Sequence, residues 1–210
     1  MAYDLEEQEQ IDQLRAWWAK YGTLVTTVLF IALAIIGSWR GWQWYQSHQA
    51  GQARGYFEAL EEATRQPGDQ SIARINAAVK TLRTDYGTTD YAGRGALVAA
   101  AALQARNDLP AARAQLEWLV QSKNPSLVPV ARLRLAGLLF EQKDYDAALA
   151  QLNDAPQAFA GLFEDRRGDI LAAQGKTAEA RTVWTKAIET LGVGHPLIPV
   201  IQLKLDALGA

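Results

Sequence analysis

The sequence contains no cysteine, and this absence excludes several kinds of site. A chain without thiols forms no disulfides, binds no zinc through thiolates and has no cysteine nucleophile. The redox compartment stays open, because such a chain suits an oxidising or a reducing environment equally well.

Histidine is scarce and the familiar catalytic motifs are missing. His48 and His195 lie 147 positions apart, so they cannot form a local metal-binding pair. HExxH, phosphate-binding-loop and GxSxG patterns do not occur. Glu61 and Glu62 are adjacent, so both cannot lie on one face of a helix. The sequence therefore predicts a protein that is not an enzyme, with no cofactor and no bound metal.

An excess of charge of one sign is lacking too. After residue 40, Lys and Arg together number 18, and so do Asp and Glu. Without a basic stripe, nucleic acid is not an expected partner. Hydrophobic residues make up 49% of the chain and alanine is abundant, which is typical of a helical protein. The predicted fold class is all-α.

One long uncharged run is present, Tyr21–Trp39, bounded by Lys20 and Arg40. Nineteen residues of helix span about 28 Å, which is close to the hydrocarbon thickness of a bilayer. The start of the chain is acidic and no small-x-small cleavage site follows the run, so a retained single-pass anchor is predicted rather than a signal peptide. Aromatic residues suited to the two membrane interfaces flank it: Trp17, Trp18, Tyr21, Trp39, Trp42, Trp44 and Tyr45.

The orientation of this anchor is not decided by charge. Arg15 and Lys20 precede it, and Arg40 and Arg54 follow it within a comparable distance. The positive-inside rule counts these residues and largely ignores acids, so it returns a tie. The acidic residues 1–20 have helical apolar spacing, and two interpretations stay open for them: a frayed, solvated tail or a docking segment for a partner.

The remainder of the chain alternates predicted helices with turns. Residues 55–65 form a predicted helix whose buried face is Tyr56, Ala59, Leu60 and Ala63. The next predicted helix, residues 71–86, buries Ile72, Ile75, Val79 and Leu82. Either Thr89 or Asp90 is expected to be the N-cap of the helix that follows.

Three later segments can be aligned on the alanine that follows each tight turn, Ala112, Ala148 and Ala180, with periods of 36 and 32 residues. The residue twelve positions upstream is small, and the residue four positions downstream is large and apolar, predicted to fill the gap to the next helix pair. These positions are Ala100, Ala136 and Gly168, and Leu116, Leu152 and Trp184. This pattern resembles the tetratricopeptide repeat. A stretched earlier copy aligns Ala73 with a period of 39, and residues 197–208 form a predicted closing helix that hides the open end of the array.

The order of parts resembles a known family. An acidic Glu6-Glu7-Gln8 start, Trp17-Trp18 before Tyr21-Gly22, one membrane helix and degenerate repeats are similar to the YfgM-like ancillary subunits of the bacterial SecYEG translocon. The resemblance implies a cytoplasmic segment 1–20, a transmembrane anchor 21–45 and a periplasmic repeat domain 46–210. It also implies association with the Sec translocon and with periplasmic chaperones at the inner membrane.

The sequence leaves three functions open. The chain is predicted to be an adaptor that holds polypeptides or a folded partner at the translocation site; a membrane-bound regulator that tethers a signalling protein through residues 1–20; or a self-associating envelope scaffold. The first helix of each pair lines the concave side of such an array. The candidate protein-binding groove on that side comprises Tyr91, Arg94, Gln104, Arg132, Arg134 and Arg166, and its arginines favour an acidic or carboxylate-bearing partner.

Overall fold

The computed structural model describes residues 3–209, with side chains for residues 8–68 and 70–209, and this part of the chain is helical without strands. The all-α prediction is confirmed. Two compact units are formed, the first ending at Gln49 and the second beginning at Ala50. The helices are α1 (Tyr3–Arg65), α2 (Asp69–Asp85), α3 (Asp90–Ala105), α4 (Leu109–Val120), α5 (Val128–Glu141), α6 (Tyr145–Ala150), α7 (Ala160–Ala173), α8 (Thr177–Leu191) and α9 (Ile198–Ala207), with a short 3-10 turn at Gln157–Phe159.

In the first unit, α1 carries the apolar run with its side chains open on every face; Phe30, for example, is 73% exposed. Among the described residues, α1 is the one helix that is both long enough and apolar enough to cross a membrane. The hydroxyl of Thr26 donates to the carbonyl of Gly22 at 2.8 Å, and that of Thr27 donates to Thr23 at 2.7 Å. These threonines therefore satisfy their hydroxyls within the helix, as an apolar surrounding requires.

Aromatic rings cluster at both borders of this run. The ring centroids of Trp17 and Tyr21 lie 5.7 Å apart, and those of Trp42 and Tyr45 lie 6.3 Å apart. Together with the exposed Trp18, Trp39 and Trp44, these residues form two belts of amphipathic side chains, which membrane interfaces favour.

The second unit contains the end of α1, α2, the helix pairs α3 with α4, α5 with α6 and α7 with α8, and the closing helix α9. Each pair turns through a residue in the left-handed conformation, and these residues occupy the same position in the repeat alignment: Asn107 (φ 61°), Lys143 (φ 62°) and Gly175 (φ 78°). In every turn, the amide of the following residue donates at 2.9 Å to the carbonyl five residues earlier, at Leu103, Leu139 and Leu171. The backbone therefore repeats with the periods that the sequence predicts.

The small and large positions of the repeat are buried. Ala100, Ala136 and Gly168 lie where paired helices cross, and Leu116 and Leu152 lie in the main core. The prediction that Trp184 fills the gap to the next helix pair needs one correction. Its ring packs against Gly168 within its own helix pair, and it belongs to the smaller core shared with Ile201 of α9. Its Nε1 donates to the carbonyl of Asp165 at 3.2 Å.

The register predicted for the earliest repeat copy is wrong by two residues. Ala73 is exposed, whereas Ile75, Val79 and Leu82 are buried. Ile75 precedes Ala112 by 37 residues, and the residue twelve positions before Ile75 is the buried Ala63. The apolar face of α2 determines its rotation, because burying branched side chains contributes more free energy than matching one small residue.

The predicted buried face at the end of α1 also needs correction. Tyr56 is 42% exposed and Ala59 is exposed, while Ala53, Leu60 and Ala63 are buried. The Tyr56 ring instead lies beside Tyr86 at the surface, 5.5 Å between centroids. At the start of α3, the Thr89 hydroxyl accepts from the amide of Ala92, so Thr89 is the N-cap and Asp90 is not.

Helix α9 closes the array and begins one residue later than predicted. It buries Ile201, and Lys204 donates to Asp165 at 2.7 Å and to Asp169 at 2.6 Å. Its outer side remains apolar, because Val200 and Leu203 are exposed. The closing helix therefore covers the preceding pair without presenting a wholly polar face of its own.

Candidate functional site

Two adjoining depressions follow the first helices of successive pairs, and together they form what we call the arginine groove. The first, of about 680 Å³, is bounded mainly by α3 and the second, of about 320 Å³, by α3, α5 and α7. Ala101 and Arg134 line both depressions. The groove is defined by Phe57, Thr64, Arg94, Leu97, Val98, Ala101, Ala102, Gln104, Ala105, Arg106, Leu133, Arg134, Gly137, Leu138, Glu141 and Arg166.

Four of the six sequence-predicted residues meet at this groove: Arg94, Gln104, Arg134 and Arg166. Arg134 bridges neighbouring repeats, since its Nη1 donates to the carbonyl of Leu97 on α3 at 3.1 Å while the residue stays exposed. Arg166 makes a long ion pair with Asp169 of its own helix, 3.7 Å between Nη1 and Oδ2. Positive charge is thus distributed across three consecutive first helices.

The floor between these arginines is built from small side chains. Ala101 is exposed on it, and Ala102 and Ala105 continue it along α3. A Cβ placed on Gly137 would have one heavy atom near it, the Cζ of Arg166 at 3.9 Å. A polypeptide backbone can therefore approach the helices closely here, since little side-chain volume stands above them.

Glu141 is the acidic member of the groove, and no pattern in the sequence indicated it. Its Oε2 accepts a hydrogen bond from Nε2 of Gln104 at 2.8 Å, across the gap between α3 and α5. The pair lies 37 positions apart in sequence, so its meeting depends on the packing of the two helices. It gives one end of the second depression a negative charge.

Arg132 and Tyr91, also predicted for the groove, are not among its lining residues. Arg132 turns to the carbonyls after α6, donating to Gln151 at 2.7 Å and to Asn153 and Asp154 as well. Its guanidinium also lies over the Phe163 ring, 5.3 Å from the centroid. Tyr91 is half-buried with its ring 5.6 Å from that of Phe57.

Arg106 lies at the edge of the first depression, where it binds carbonyl oxygens. Its Nη2 donates to Thr64 at 2.9 Å and to Gln66 at 3.0 Å, and its Nη1 donates to Ala102. Because these bonds join the end of α1 to the end of α3, Arg106 is a structural member of the groove wall.

A separate depression, of about 720 Å³, lies between the α2–α3 and α4–α5 turns. Arg83 stacks over Trp118, 5.1 Å from the ring centroid, and donates to the buried Gln115 at 2.9 Å. Burial lowers the pKa of Arg83. Asn124 donates to Asp90 at 3.0 Å across the same depression. These contacts connect neighbouring helix pairs, and no feature of the sequence indicated them.

Near the end of the array, Asp169 and Asp165 share the ammonium group of Lys204. Burial raises the pKa of Asp169, and the hydrogen bond from Lys204 opposes this without reversing it. Within the described side chains, no group of three His, Asp or Glu residues is placed to hold a metal ion.

The chain is similar to known proteins over almost its whole length. The model of the tetratricopeptide repeat-like domain family matches residues 15–210. An ancillary SecYEG translocon subunit of Neisseria gonorrhoeae is 33% identical over 99% of this chain and 100% of its own length. Subunits of the same name from Haemophilus influenzae (29% identical, over 89% of this chain and 91% of the relative) and Escherichia coli (27%, over 96% of both) are also similar.

No solved structure matched the chain. The family match covers the repeats and most of the apolar helix, and the Neisseria relative aligns over its whole length. The left-handed turns, the small residues at the crossings and the single apolar helix are thus parts of one arrangement, and the chain belongs to the family of ancillary SecYEG translocon subunits with a tetratricopeptide repeat-like domain.

Proposed function

We propose that this protein is a membrane-anchored, non-catalytic adaptor that associates with the Sec translocon of the bacterial inner membrane. Residues 1–20 lie in the cytoplasm, residues 21–45 anchor the chain, and residues 46–210 hold secreted or envelope polypeptides in the periplasm, together with periplasmic chaperones. Support comes from the similar proteins, which are named ancillary SecYEG translocon subunits, and from the apolar helix that precedes the repeat array in the described part of the chain.

The observation that carries the adaptor function is the arginine groove. It crosses α3, α5 and α7, combines positive charge with an apolar floor of small side chains, and is open to solvent. Concave surfaces of stacked helix pairs commonly bind extended segments or partner proteins. Anchoring adds effective concentration, because a binding surface confined beside the translocation site captures weak partners that it would not hold in free solution.

A groove-blocking variant tests this function. Ala101 is exposed and lines both depressions, so Ala101→Trp fills the groove without disturbing the core. We expect the full-length variant to lose crosslinking to an arrested secretory chain in membranes while it keeps its melting temperature. Ala150→Trp on α6 is the matched control for added bulk, and Arg113→Gln on α4 is the control for an arginine lost outside the groove.

The same experiment separates the regulator and scaffold alternatives. Glu9→Gln combined with Asp12→Asn removes two exposed acids from the N-terminal segment and leaves the groove unchanged. Loss of partner capture in this variant, with normal capture by Ala101→Trp, would favour a docking role for residues 1–20. Crosslinks between copies of this chain, with no crosslinks to other proteins, would favour the scaffold.

Cysteine labelling tests the orientation, because the sequence has no native cysteine that would also react with the label. Val193→Cys places a thiol at a fully exposed turn of the repeat unit, and Gln8→Cys places one ahead of the anchor. In spheroplasts, a membrane-impermeant maleimide should label position 193 at once and position 8 after lysis. The reverse pattern would place the repeats in the cytoplasm.

A further inference from the structure

We infer that the arginine groove selects extended peptide segments that carry two carboxylate side chains three residues apart, with small or apolar residues between them. This inference rests on the proposed adaptor function and specifies the ligand of the same surface. It follows from the charge of the groove, the placement of its arginines on successive first helices and the nature of its floor.

The guanidinium groups of Arg94 and Arg134 have much of their donor capacity available. Among the described residues neither forms an ion pair, and Arg134 makes one hydrogen bond, to the carbonyl of Leu97. A guanidinium carries five N–H donors in a planar fork that matches a carboxylate. Each is therefore positioned to receive an acidic side chain without first breaking an internal salt bridge.

Arg166 is less firmly paired than its acidic neighbours suggest. Asp169 lies 3.7 Å from it but is held at 2.6 Å by Lys204, which also holds Asp165 at 2.7 Å. Asp165 and Asp169 of α7 are thus engaged by Lys204 of α9. A ligand carboxylate on the other side of Arg166 can form the shorter, charge-assisted contact.

The spacing follows from the repeat. Arg134 and Arg166 each stand two residues before a crossing position, Ala136 and Gly168, so they occupy equivalent places on neighbouring first helices. Packed helices lie about 8–10 Å apart. An extended polyproline II segment advances roughly 9 Å in three residues and returns to the same face. Two carboxylates three residues apart therefore match two adjacent arginines.

The residues between the carboxylates face the alanine floor. Ala101 and Gly137 line the second depression together with Arg134 and Arg166, and they offer a surface without protruding groups, which suits small or aliphatic side chains. Beyond them Glu141 closes the second depression with a negative charge, tied to Gln104. A third acidic residue at that end would be repelled, so the groove favours a pair of carboxylates over a continuous acidic run.

The test uses the full-length protein in nanodiscs and a fluorescent eight-residue peptide of alanine, valine and serine with two glutamates three positions apart. Its counterpart carries glutamine at both positions. We expect the glutamate peptide to bind at least tenfold more tightly, with the difference shrinking as salt is raised. Arg134→Gln should weaken the glutamate peptide about tenfold and change the glutamine peptide less than twofold, while Arg113→Gln changes neither.

The contrary outcomes are distinct. Equal binding of both peptides, abolished by Ala101→Trp, would overturn the carboxylate preference and leave the groove-based adaptor standing. An Arg134→Gln effect of the same size on both peptides would also overturn it, because that indicates a structural change of the groove. If neither peptide binds and Ala101→Trp still crosslinks normally to the arrested chain, the carboxylate preference and the groove's role in the proposed function both fall.

Discussion

Trp184 lies directly over Gly168, so that a Cβ on residue 168 would be 2.5 Å from Cδ1 of the indole and 2.8 Å from Cε2. No side chain larger than hydrogen fits between these two helices of the pair. The indole is also fixed by its hydrogen bond to Asp165, so it cannot easily move away. The glycine is therefore required by packing, not by backbone conformation.

Gly168→Ala is accordingly expected to destabilise the repeat unit by ~1–3 kcal/mol, because the added methyl overpacks the crossing. Thermal and urea unfolding of the full-length protein measure this. Gly137→Ala provides the matched control, since its Cβ would meet one atom at 3.9 Å; alanine's better helix propensity should leave stability unchanged or slightly raised. Equal effects at the two positions would contradict the close contact.

Ala136→Leu tests the crossing of the next pair. Ala136 is fully buried where α5 packs in the core, so three additional carbon atoms must displace neighbouring side chains. We expect a loss of ~1–3 kcal/mol in the free energy of unfolding. Ala150→Leu, at an exposed position of α6, should cause little change. An unaltered melting temperature for Ala136→Leu would mean that this crossing is not close-packed.

The turn residues differ in how well they suit their conformation. Lys143 adopts φ 62°, which costs a residue with a Cβ about 1 kcal/mol or more, whereas Gly175 in the equivalent turn adopts φ 78° without that cost. Lys143→Gly should therefore raise the melting temperature, and Gly175→Ala should lower it. Differential scanning calorimetry of the two variants checks both signs. A destabilised Lys143→Gly variant would show that the lysine side chain contributes more than its backbone strain.

The pH dependence of stability should reveal Asp169. Its pKa is raised by burial, so the folded state holds this proton more tightly than the unfolded state, whose pKa stays near 3.8. The resulting contribution to stability is fully present below pH ~3.8 and is lost as the pH rises through the higher folded value. The difference in unfolding free energy between wild type and Asp169→Asn should decline across that window. A difference that grows with pH would mean that the ion pair with Lys204 outweighs burial.

The sequence predicted the repeat where local chemistry determines it. The small residue at each crossing and the constant length of each turn can be recognised in the sequence itself. The backbone of all three turns agrees with this prediction. The register predicted for the first copy is wrong because Ile75, and not a small residue, occupies the place that Ala112, Ala148 and Ala180 hold in the later copies. There the periodicity of the apolar face was the better guide.

Long-range contacts explain what the sequence did not reveal about the groove. Arg132 and Arg134 are two residues apart and look equivalent, yet one donates to carbonyls after α6 and the other faces the depression. Two residues on a helix point about 200° apart, so at most one of them can face a given side. Choosing between them required knowing where the neighbouring pair ends, which depends on tertiary packing.

The short helix α6 has a consequence for how this chain can change over time. It has six residues, against fifteen in α8, and the four carbonyls that follow it, from Gln151 to Asp154, accept hydrogen bonds from two arginines of the flanking first helices. Arg132 serves three of these oxygens and Arg167 serves that of Leu152 at 2.6 Å. In evolutionary terms, guanidinium groups replace the missing helical turns, so we expect relatives to differ in the length of this second helix more readily than at the two arginine positions.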